Sequence, residues 1–164
     1  MIDIGEVVFV GTKGICKIED IKKNAFVGCD KSKEYYVLKP LSSSTNMVVF
    51  LPTDTKIKIR KLTSKSIAKK ILNEIGKLEL EGQVNEEERQ KALTEILKEV
   101  DLEKRARFLN YMLNRKMTIS KKLFSAGEQK VLNTLLDCVV DEISCVLSED
   151  KESVRSLILS KFEK

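Results

Sequence analysis

The spacing of apolar positions changes partway along the chain. Before residue 62 they come in short runs: "EVVFV" at 6–10, "ICKIEDI" at 15–21, "EYYVLKP" at 34–40, "NMVVFLP" at 46–52 and "KIKIRKL" at 56–62. These runs are rich in β-branched and aromatic residues and are separated by Gly, Pro, Ser and Asp, which predicts five strands. "ICKIEDI" places Ile at 15, 18 and 21, a spacing of three that a strand accommodates only with a bulge. In "KIKIRKL" the alternation predicts Ile57 and Ile59 inward. Five short strands at this spacing predict a small, strongly bent antiparallel barrel. About 60 residues bury little core, so docking on the second half or on a partner would help to stabilise it.

After residue 62 the period is helical. Both prolines, Pro40 and Pro52, lie behind, so long helices meet no breaker. Ile67, Ala68, Ile71, Leu72, Ile75 and Leu78 mark a first helix, expected to end near Gly82. Ala92, Leu93, Ile96, Leu97 and Val100 mark a second, with the acidic start of "EEERQK" at 86–91 suited to a first turn. Asp101 caps a third helix carrying Leu102, Ala106, Leu109, Met112 and Leu113. Ser125 and Glu128 have capping-box spacing and open the longest helix, with apolar positions from Val131 to Leu147. Ser148 or Asp150 opens a last helix through Val154, Leu157, Ile158 and Phe162. The fold class expected is α+β, with a β-module at 1–62 and an all-α module of about five helices at 63–164.

Composition narrows the function. Of 164 residues, 42% are apolar and 34% charged, a globular balance, and Trp and His are absent. Without histidine the commonest general base and metal ligand is missing. The cysteines at 16, 29, 138 and 145 form no Cys-x-x-Cys pair, so zinc is not expected. Their expected state is reduced and semi-buried, with Cys138 and Cys145 at core spacing. A thiol enzyme would need a neighbouring base, and no histidine serves. No enzyme activity, metal or cofactor is expected. The start "MIDIGEVVFV" lacks the pattern of a signal peptide, and no apolar run approaches 18 residues, so neither a leader nor membrane association is expected.

Charge is segregated. Residues 1–62 hold 11 Lys+Arg against 7 Asp+Glu; residues 63–164 hold 19 against 18. Within the second half, residues 101–130 hold 8 against 3, running into the capped start at Ser125. Lysines beside a helix N-terminus suit a phosphate surface, and equally a solvated helix face.

"IGEVVFVGTKG", "KEYYVLKP" and "VFLP", followed by an all-helical half containing "FSAGEQKVL", resemble the CarD/CdnL family of bacterial transcription regulators. The resemblance implies a Tudor-like N-terminal barrel that binds the RNA polymerase β subunit through a strand edge. It also implies a helical module against promoter DNA at the upstream edge of the transcription bubble, modulating open-complex stability. Strand-edge binding is physically apt, because unpaired backbone groups supply affinity and alternate side chains specificity. On this resemblance the polymerase-binding residues are Asn24, Phe26, Val49 and Phe50. Asn24 and Phe50 stand near the places of family arginines, and Phe26 is an apolar anchor.

The chain departs from the family on the DNA side. Many members insert a tryptophan at the start of the second helix of the helical module; aligning on "ERQKAL" puts Glu86, or a neighbour within 85–88, at that place. Gln129 stands where a lysine is common. The resemblance therefore implies a weaker, electrostatic contact by Arg89, Lys91, Lys121, Lys122 and Lys130, with Ser125 and Gly127 at the helix opening and Glu86 in the wedge position. The expected protein is a cytoplasmic bacterial monomer. An adaptor that binds polymerase and has lost DNA binding is the alternative.

Overall fold

The structure, a computed structural model, describes residues 2–11, 13–41, 44–80 and 84–163. The chain forms two compact units, Met1–Leu62 and Thr63–Lys164.

The first unit is a five-stranded antiparallel sheet: β1 (Val7–Val10), β2 (Gly14–Lys22), β3 (Tyr35–Pro40), β4 (Val49–Pro52) and β5 (Ile59–Lys61), in the order β4-β3-β2-β1-β5. The five apolar runs thus each become a strand. No β4–β5 pairing is seen among the described residues. An antiparallel sheet with two edges is therefore established, not the closed barrel the strand spacing predicts. The register of β2 on β3 shifts between Ile18 and Asp20. This is the bulge that the Ile15-Ile18-Ile21 spacing requires: Ile18 is fully buried and Ile21 packs on the same core. That core joins Val8, Val10, Cys16, Ile18, Leu38 and Leu51, with Ile57 and Ile59 partly buried against it. Phe9, on the opposite face, lies beneath the Arg60 guanidinium at 4.7 Å from the ring centroid. Thr12, in the expected turn between β1 and β2, lies outside the described residues.

The second unit holds α1 (Lys65–Glu74), α2 (Glu86–Glu95), α3 (Leu102–Thr118), α4 (Ala126–Leu147) and α5 (Lys151–Ser160), with a 3-10 turn at Ile96–Lys98 extending α2. Helix α4 is the centre, with α1, α3 and α5 packed on it. Its stripe of Leu132, Leu135, Leu136, Val139, Val140 and Ile143 meets Leu109, Met112 and Ile158 in one core. Each such side chain, fully buried, contributes roughly 1.5–3 kcal/mol. The start signals match residue for residue. Asp101 accepts from the Lys104 N–H at 3.0 Å, and Asp150 from Ser153 N–H at 3.0 Å. Ser148 closes α4 in the left-handed region instead, at φ 54°.

Two further expectations need correction. The first helix stops at Glu74, well short of Leu78, and Gly82 lies outside the described residues. Gly76 turns the chain at φ 98°, its N–H donates to Asn110 Oδ1 at 2.6 Å, and Lys161 Nζ donates to the Leu72 and Asn73 carbonyls. The last α1 carbonyls are thus satisfied by a side chain and need no further turn. The second correction concerns Cys145, which is exposed, while Cys29 and Cys138 are half-buried and Cys16 is buried; all four are free. Cys138 is itself only half-buried, at the margin of the α4 stripe, and the drift of about 20° over seven residues sets Cys145 slightly further out. Among the described residues no helix is long and apolar enough to cross a membrane.

Candidate functional site

Strand β4 is an edge of the first unit's sheet, laddered to β3 with Phe50 opposite Val37 and Val49 opposite Leu38. Leu51 turns into the core, and Val49 packs partly against it. Phe50 points to the other face and meets Phe26, ring centroids 5.1 Å apart. Phe26 also sits edge-on to Tyr35, at 5.4 Å and 74°. The structure therefore brings together two of the residues expected at the polymerase contact, although they are far apart in sequence. Phe26 nevertheless remains 43% exposed. Asn24 precedes it, exposed and at φ 52°, a left-handed turn that asparagine tolerates better than most residues.

The segments next to Phe26 and leading into β4 carry further apolar residues, none of them among the expected contacts. Val27, Met47 and Val48 are all exposed. For Met47 and Val48 the signal was present: residues 47–51 are five consecutive apolar residues, where a strand with one wet face should alternate. An apolar edge without charged gatekeepers on those residues is what a partner strand would cover.

In the second unit the candidate residues divide. Ser125 and Glu128 form the expected capping box: the Glu128 N–H donates to Ser125 Oγ at 3.1 Å, and the Ser125 N–H to Glu128 Oε2 at 2.9 Å. Yet Glu128 is 2% exposed, and its other oxygen accepts from Arg115 Nε at 2.9 Å and from Arg89 Nη1. Arg89 Nη2 in turn donates to both oxygens of Glu86. The result is an alternating chain, Glu86–Arg89–Glu128–Arg115, that ties α2, the end of α3 and the start of α4. Burial, the largest single influence on Glu128, would raise its pKa. The Ser125 N–H and the two guanidiniums together outweigh it and hold the carboxyl below the usual range. Glu86 is likewise held low, chiefly by Arg89.

Arg89, expected as a surface phosphate contact, is thus 5% exposed and engaged inside the unit. Its burial could not be read from "EEERQK", because Glu128 lies 39 residues away. Glu86, in the expected wedge position, is exposed and bound to Arg89. A second capping box, Asn85 with Glu88, starts α2 and fixes this first turn. Lys91, Lys121, Lys122 and Lys130 are exposed, as are Ser125 and Gly127. A side chain at Gly127 would meet nothing nearer than Ser125 Oγ at 3.7 Å, so packing does not require a glycine there. Leu123, in the turn beside the lysines, is 67% exposed.

No curated protein matches the chain. Residues 2–63 match the family model of the CarD-like/TRCF RID domain, so the β-unit with the apolar β4 edge belongs to the CarD-like/TRCF RID domain family.

Proposed function

We propose that the chain is a non-enzymatic regulator of transcription that binds the RNA polymerase β subunit through the β4 edge. The carrying observation is that the RID match at residues 2–63 contains the β4 edge, where half-buried Phe50 packs on exposed Phe26, with exposed Val27, Met47 and Val48 in the adjoining segments. In this reading the five-stranded sheet is a Tudor-like module whose β4 edge is open to a partner strand. The second unit touches promoter DNA near the upstream bubble edge, through the exposed Lys91, Lys121, Lys122 and Lys130, without a tryptophan wedge. The setting is a bacterial cytoplasm, and the chain acts as a monomer. Thiol chemistry is disfavoured, because burial pushes Cys16 up to about 11 and also raises Cys138, the opposite of an activated nucleophile.

The second reading is a polymerase-binding adaptor without DNA contact. It is favoured by the carboxylate of Glu86 at the wedge position and by the internal engagement of Arg89. Titration of the full chain with a β-subunit lobe fragment tests what both readings share, and absence of binding overturns both. Titration with a promoter duplex at rising salt separates them. Lysine contacts predict a steep loss of affinity, with a log–log slope near −0.9 per phosphate neutralised. Absence of binding at low salt selects the adaptor.

A further inference from the structure

The Glu86–Arg89 contact has a geometry that a phosphate would share. Arg89 is held nearly immobile: it is 5% exposed, with Nη1 fixed on the buried Glu128 carboxylate. Its outer nitrogen, Nη2, faces the Glu86 carboxylate and donates to both oxygens. Glu86 itself is loosely anchored. Its side chain is 72% exposed, and its further contact is a long 3.3 Å hydrogen bond from Gln90 Nε2. Only the Glu86 end of the pair lies in water; Arg89 is nearly buried, so the carboxylate can be exchanged for another oxyanion but not simply lost. What Arg89 offers that oxyanion is a preoriented Nη2 amino group, on a guanidinium tied through Glu128 to the exposed start of α4 at Ser125–Gly127.

We propose that Arg89 and the first turn of α4 form a phosphodiester-binding site that Glu86 occupies as an internal stand-in while nucleic acid is absent. The inference rests on the proposed DNA contact of the second unit and adds a carboxylate gate to it. Glu86 lowers affinity in two ways: it blocks Nη2 and it adds a negative charge where a phosphate would sit.

The test compares Glu86→Gln with Glu87→Gln in the full chain, using a duplex of about 20 base pairs. Both residues are exposed in the first turn of α2, and both changes remove one charge, but only Glu86 bonds to Arg89. The expected result is roughly a five- to tenfold gain in affinity for Glu86→Gln and at most about twofold for Glu87→Gln. The salt slope should also steepen by about one for Glu86→Gln alone. Inorganic phosphate, at constant ionic strength, should reverse most of the Glu86-specific gain by competing for the same guanidinium. Equal gains in the two variants overturn the gate and leave the DNA reading standing, as does a gain indifferent to phosphate. Binding by Glu86→Gln but not by the unaltered chain supports the gate and removes native DNA contact. Absence of duplex binding in all three proteins overturns both.

Discussion

Arg115 Nε lies 2.9 Å from Glu128 Oε1, joining the last turn of α3 to the first turn of α4. The same carboxylate oxygen accepts from Arg89 of α2. A residue that completes a helix cap thus also binds three helices together. Glu128→Ala should therefore cost far more than the cap alone. Removing one partner of a buried ion pair costs on the order of 3–5 kcal/mol. Ser125→Ala, which removes only the cap oxygen, should cost about 1 kcal/mol. Urea denaturation of both variants checks this; equal costs would reduce Glu128 to a capping residue.

The same carboxylate sets a pH dependence. Its folded pKa lies below the unfolded value, about 4.3 for glutamate. The stability it contributes is complete above that value and is lost as pH falls through the lower, folded one. Thermal midpoints should fall as the pH drops from about 5 to 3, and Glu128→Gln should fall less steeply over that range. Parallel curves for the two proteins would contradict the assignment.

Gly127→Ala separates structure from function at the α4 start. No protein atom needs the space, so alanine should stabilise α4 by about 0.5–1 kcal/mol through helix propensity. If a phosphate backbone approaches there, duplex affinity should nonetheless fall. A variant that is both more stable and equally tight for DNA would remove Gly127 from the interface.

The thiols should react in order of exposure. Cys145 is exposed and Cys16 fully buried. Iodoacetamide should label Cys145 first and Cys16 only on unfolding, read by mass spectrometry of peptides. Polymerase binding should be unchanged by Cys145 labelling, since no step of the account uses a thiol.

Local features were legible in the sequence. Asp101, Ser125 and Asp150 cap the helices that their spacing suggested, because a cap is decided within three residues. The β2 bulge was legible in three isoleucines. What was not legible depends on distant partners. Helix α1 ends early because Asn110 and Lys161 meet its last turn. Arg89 turned inward because Glu128 was waiting on another helix. Likewise Phe26 and Phe50 are distant in sequence, and only the fold sets their rings 5.1 Å apart.

The central claim is that β4 is the polymerase-binding edge, and amide hydrogen exchange of the full chain with and without RNA polymerase tests it most directly. The account predicts new protection at residues 47–52 and around Phe26, with little change at the opposite edge, Ile59–Lys61. Phe26→Ala with Phe50→Ala should abolish that protection while the sheet stays folded. Protection confined to Ile59–Lys61, or absent from the whole first unit at saturating polymerase, would contradict it.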